Sequence, residues 1–152
     1  MAPRWAFEDF EEGTAIDLGS KAVTAEEIIE FASQFDAQPM HLDEEAGKAS
    51  ILGGLGASGW HSCCMLMRMM CDRFLLDSTS QGAPGVDYVR WKKPVLAGDT
   101  LTGTSVVEEK RLSARRPGLG FVTCRHQLVN QRGETVLELK NTGMFLTREA
   151  AS

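Results

Sequence analysis

Gly53-Gly54-Leu55-Gly56-Ala57-Ser58-Gly59-Trp60-His61-Ser62-Cys63-Cys64-Met65-Leu66-Met67-Arg68-Met69-Met70-Cys71 is the stretch that decides how this chain folds. Its closely spaced glycines break regular structure, and an apolar run follows at once. Ser58 or Gly59 is placed to open a helix over roughly 59–76. Trp60, Cys63, Cys64, Met67, Cys71, Phe74 and Leu75 recur along it at i, i+3, i+4 and i+7 spacing, which predicts the core helix.

Downstream, a connector over 76–85 is rich in Asp, Ser, Gly and Pro. Residues 86–95, 100–112, 119–131 and 135–147 then read as four strands, separated by turns at Ala97-Gly98-Asp99, Pro117-Gly118 and Arg132-Gly133. Upstream, 14–23 reads as a first strand. Long strands joined by short turns make an antiparallel sheet. The expectation is an α+β domain in which one long helix lies against a curved sheet of about five strands. The 152 residues suit a single domain. Residues 1–13 form an arm carrying Trp5, Phe7 and Phe10, and 148–152 a tail.

Between the first strand and the glycines lies the chemistry. Thr24-Ala25-Glu26-Glu27 has the form of a capping box, and Ile28, Ile29, Phe31, Ala32 and Phe35 follow at helical spacing. That helix must end before Pro39, because proline disfavours helical geometry in the residue ahead of it. Asp36 is thereby placed at or just past a helix C-terminus, with His41 on the extended turn beyond. Asp43 caps a further short helix. An acid and an imidazole can exchange protons with water, and a helix N-terminus offers unpaired N–H groups to an oxyanion. Those parts suit adding water to, or removing it from, a polarised carbonyl compound.

Composition narrows the setting. An apolar share of 43% and a charged share of 24% are those of a soluble globular protein. The apolar run Cys63 to Cys71 is too short to span a bilayer and the N-terminus has no secretory core, so a cytoplasmic, membrane-free protein is expected. A net charge of −5 argues against a general nucleic-acid binder. Cys63, Cys64, Cys71 and Cys124 form no CxxC pair and read as buried reduced thiols. His61, Cys63 and Cys64 do not have zinc-site spacing, so no metal is expected. His61 reads as a pocket or interface residue and His126 as a core or interface residue. Lys110, Arg111, Arg115 and Arg116 read either as a solvated hairpin tip or as a site for anionic phosphates. No phosphate-loop motif surrounds Gly53-Gly54-Leu55-Gly56.

Asp36-Ala37-Gln38-Pro39-Met40-His41-Leu42-Asp43 resembles the hydratase motif of the MaoC-like (R)-specific enoyl-CoA hydratases and dehydratases. Ala57-Ser58-Gly59 resembles that family's segment at the head of its central helix. The run from Val86 to Leu101, with Pro94-Val95 and Gly98-Asp99, resembles its strand–turn–strand signature. The resemblance covers about residues 7–147. It implies a hotdog fold and usually a homodimer whose sheets join, with higher oligomers left open. It also implies Asp36 and His41 as a catalytic pair that activates water, and the Gly59 N–H as oxyanion donor. Gln38, Pro39, Ser58 and Trp60 would then border the substrate, with Arg115 and Arg116 meeting coenzyme A phosphates. Met65, Met67, Met69 and Met70 read mainly as helix packing, with some of them placed to line an acyl tunnel. Coenzyme A enters as part of the substrate and no other cofactor is implied.

Three positions depart from the family pattern: Gln38 where Asn is usual, Phe35 where Gly is usual, and Ser58 where His is frequent. The last two bear on pocket shape and acyl preference more than on the chemistry. Two other readings stand beside the hydratase: a hotdog acyl-CoA thioesterase, and a non-catalytic acyl-binding subunit.

Overall fold

The computed structural model describes residues 1–152. Five strands form one antiparallel sheet: β1 (Ala15–Ala22), β2 (Val86–Trp91), β3 (Thr100–Leu112), β4 (Leu119–Val129) and β5 (Thr135–Leu146), in the order β1-β3-β4-β5-β2. The helices are α1 (Ala25–Phe35), α2 (Pro39–Leu42), α3 (Glu44–Ala49), α4 (Gly59–Arg73) and α5 (Arg148–Ala151).

Side-chain alternation decides which face of the sheet is covered. Leu101, Gly103, Ser105 and Val107 of β3 are buried, as are Val122, Cys124, His126 and Leu128 of β4. Against this face α4 buries Met65, Leu66, Met69 and Met70. The approach is close at Gly103, where a Cβ would stand 2.9 Å from the Met69 Cε atom. Leu66 is 1% exposed, and truncating such a core leucine to alanine costs about 2–5 kcal/mol. The arm closes one end: Phe10 lies 4.5 Å, ring to ring, from Phe145 and 5.9 Å from Phe74. One long helix packed on a five-stranded antiparallel sheet is the hotdog arrangement.

Several expectations need correction. Of the stripe Trp60, Cys63, Cys64, Met67, Cys71, Phe74 and Leu75 only Phe74 is buried: Trp60, Cys64 and Met67 are exposed, and Cys63, Cys71 and Leu75 are half-buried. The buried face is turned onto His61, Ser62, Met65, Leu66, Met69 and Met70. Only Cys124 is a buried thiol. The long helix stops at Arg73, where Phe74 leaves helical geometry (φ −147°) and a 3-10 turn follows. The strand expected over 86–95 ends at Trp91, ahead of Pro94, which has no N–H to give a ladder. His41 lies not on an extended turn but in α2, which Pro39 opens at its first position.

Candidate active site

Two local structures deliver the acid and the imidazole. In α1 the Thr24 hydroxyl accepts from the Glu27 N–H at 3.2 Å, and Glu27 accepts from the Thr24 N–H at 3.1 Å. This capping box fixes where α1 starts, and hence that its last turn ends in Asp36, whose N–H still donates to Ala32. Gln38 is extended, as a residue before proline should be, and α2 turns His41 back toward Asp36.

His41 is buried, and its Nδ1 lies 2.6 Å from the Gly56 carbonyl oxygen. A carbonyl only accepts, so Nδ1 carries the proton and Nε2 is free on the other side of the ring. Nε2 stands 3.4 Å from Asp36 Oδ2. Gln38 donates to the other carboxylate oxygen at 2.7 Å. The Ser58 hydroxyl first and then the Gln38 amide hold the Asp36 carboxyl below its ordinary range, against the opposing pull of burial, and His41 would add to this when protonated. Ser58 Oγ is wholly buried and lies beside that carboxylate without reaching full hydrogen-bond geometry.

The third element is the head of α4. The Ala57 N–H donates to Val95 O at 2.7 Å and the Ala97 N–H to Leu55 O at 3.0 Å, which pins the glycine-rich segment to the β2–β3 connection. Ser58 is the N-cap residue, and Gly59 the first helical one; its N–H has no acceptor in the protein. Asp36, Gln38, His41, Gly59 and Trp60 all border one open cleft of about 390 Å³, with Ser58 buried beside it. Pro39 shapes α2 without lining the cleft.

The structure separates two of the expected substrate residues from the rest. Arg115 and Arg116 lie on the β3–β4 hairpin tip, both N–H groups donating to Ser113 Oγ. The eleven-residue β4 stands between that tip and the end of the sheet beside the cleft, a span of roughly 35 Å. Within one chain they do not meet the Asp36–His41 pair. His61 also points elsewhere: it stacks on Phe31 of α1 (4.8 Å, 9°) with Nε2 3.6 Å from Glu27, so it joins α1 to α4. Burial pushes its pKa down, and Glu27 opposes that shift.

Sequence reasoning missed Trp91, Lys92 and Lys93, which complete the cleft wall. Their signal was present as two lysines beside a tryptophan immediately before Pro94. Trp91 also changes the reason for glycine at 59. A Cβ there would lie 2.5 Å from the indole, whose Nε1 donates to Gly59 O at 2.9 Å. The residue is glycine to admit Trp91, and not only to admit a substrate. No cluster of three His, Cys, Asp or Glu side chains has an arrangement that could hold a metal ion.

Comparison with known proteins adds a family. A model described as a MaoC like domain matches residues 9–127. The structure of a MaoC-like dehydratase from Rhodospirillum rubrum is similar at 34% identity and TM-score 0.83, covering 93% of this chain and 97% of that one. The R-hydratase PhaJ1 of Pseudomonas aeruginosa shares the fold at TM-score 0.74 and 19% identity, over 96% of this chain and 88% of that one. The mesaconyl-CoA hydratase of Haloarcula hispanica is 36% identical over 69 residues, which are 45% of this chain and only 19% of that protein.

Proposed function

We propose, since this chain belongs to the MaoC-like domain family, that it adds water to a 2-enoyl-CoA, or removes water from the matching 3-hydroxyacyl-CoA. The observation that carries this reading is the 3.4 Å pair of Asp36 Oδ2 and His41 Nε2, with the His41 tautomer set by Gly56 O, in a cleft headed by the free Gly59 N–H. One water held between the pair gives a hydrogen to each. As its oxygen bonds to C3, Asp36 takes the proton and electron density moves onto the thioester oxygen as an enolate. The Gly59 N–H, at the positive end of α4, stabilises that charge. His41 keeps the water in place through Nε2, and the proton that Asp36 took passes to C2, directly or relayed by Nε2, which closes the balance. Lys92 and Lys93 offer positive charge to coenzyme A phosphates at the cleft wall.

A second copy of the chain is part of the same proposal. Strand β2 ends the sheet with an unpaired edge, and Trp60, Met67, Val86 and Trp91 are exposed apolar groups. Pairing β2 edges would extend the sheet and cover the outer face of α4.

Loss of enoyl-thioester absorbance on mixing with enoyl-CoA tests the activity. Asp36→Asn and His41→Ala should each lower the rate by roughly 10²–10⁴-fold while leaving thermal unfolding near that of the wild type. Release of free thiol without loss of the double bond would replace this reading with the thioesterase one.

A further inference from the structure

A second cavity, of about 190 Å³, lies between the C-terminal half of α4 and the covered face of β4 and β5. Its walls include Met67, Met70, Phe74, Val122 and Phe145, and no charged side chain lines it. Gly59, Cys63, Met67 and Met70 fall on one stripe of α4, and Phe74 at its C-cap follows them. That stripe runs from the head of the catalytic cleft to this cavity. Met67 is eight residues beyond Gly59, about 12 Å along the axis, within reach of a medium-length acyl chain.

One wall of the cavity is polar. Ser105 Oγ lies 2.7 Å from His126 Nδ1, and His126 Nε2 lies 3.0 Å from Asn141 Oδ1. Ser105 is wholly buried and its hydroxyl has no other acceptor, so it donates to Nδ1. The imidazole proton then sits on Nε2 and is given to Asn141 Oδ1. This chain fixes the amide orientation and leaves the Asn141 nitrogen, a donor only, without a protein partner on the cavity wall. Burial holds His126 neutral, so the wall carries no positive charge. A carboxylate facing one neutral donor in apolar surroundings would be strongly disfavoured, whereas a neutral oxygen would be satisfied.

We propose that this cavity takes the far end of the acyl chain and selects chains carrying an uncharged hydrogen-bond acceptor there, a hydroxyl or keto oxygen, which Asn141 binds. The assignment rests on the hydratase reading of the Asp36–His41 cleft.

The test compares crotonyl-CoA, decenoyl-CoA, and decenoyl-CoA bearing a keto or hydroxyl oxygen near its end. Wild-type kcat/KM should favour the oxygenated chains over plain decenoyl-CoA by roughly tenfold. Asn141→Leu should remove that preference. Asn141→Asp, which still accepts from His126 but presents only acceptors, should invert it for the keto chain, while a hydroxyl chain can donate to the new carboxylate. Crotonyl-CoA ends before Met67, so its rate should be the same in all three proteins. Calorimetric titration with saturated decanoyl-CoA and its keto counterpart reads the cavity without turnover. Equal kcat/KM and equal affinity for plain and oxygenated chains in the wild type would overturn the proposal. Failure to hydrate even crotonyl-CoA would instead remove the catalytic reading, and the calorimetric comparison would then decide the cavity alone.

Discussion

Gly59→Ala tests the head of α4 most directly. The added methyl would stand 2.5 Å from Trp91 Cε2, 2.7 Å from Nε1 and 2.8 Å from Cδ2, so the indole must move. Moving it breaks the 2.9 Å bond from Nε1 to Gly59 O, a net loss of about 1 kcal/mol. Overpacking typically costs about 1–3 kcal/mol, and the half-exposed indole can swing outward, which favours the lower end. The better helix propensity of alanine offsets at most about 1 kcal/mol. The fold should therefore lose only about 1 kcal/mol, a drop in Tm of roughly 2–4 °C. Activity should fall far more, because the displaced wall and donor supply the oxyanion contact, worth roughly 10²–10³-fold. Thermal melts and initial hydration rates of Gly59→Ala, Trp91→Ala and the double variant check this. The double variant should regain the lost stability without regaining rate. Wild-type rate in Gly59→Ala would refute the reasoning, since neither the pinned indole nor the Gly59 amide would then matter.

Ser58→Ala removes the largest support for the low Asp36 pKa, so the acid limb of the rate–pH profile should move to higher pH; an unmoved limb would exclude that contact. His126 has its pKa lowered to about 4, well below the usual imidazole value, so between those two pH values the unfolded chain binds a proton that the native chain refuses. Its contribution to stability is full above the unfolded pKa and is lost as pH falls toward 4, and His126→Gln should flatten that part of a denaturation–pH series. Lys92→Ala with Lys93→Ala should raise KM for CoA thioesters in a salt-dependent way. Arg115→Ala with Arg116→Ala should leave KM unchanged in any form of the protein where the hairpin tip meets no second copy.

Local signals were legible wherever the chain interacts with itself over a few residues. The Thr24–Glu27 box, the Asp43 cap and the break before Pro39 depend on neighbours within one turn, and each occurs as its residues require. The α2 turn that carries His41 escaped because four residues give almost no periodicity, although Pro39 at a first helical position was its signal. Trp91, Lys92 and Lys93 escaped because long-range links, from Ala57 to Val95, Ala97 to Leu55 and Trp91 to Gly59, bring that segment to the head of α4.

The sequence by itself determined the long elements and their kind, because alternation at period two and apolar recurrence at i, i+3 and i+4 are properties of a single segment. Which of two apolar faces α4 turns to its own sheet was not such a property. The stripe through Trp60, Cys63 and Met67 and the face through Met65, Leu66 and Met69 both recur at helical spacing. Tertiary structure chose between them, by anchoring Leu55 and Ala57 to the β2–β3 connection and by letting Gly103 admit Met69. It also decided that His41 reaches Asp36 and that Arg115 does not, since those distances are set by how elements stack and not by their spacing along the chain.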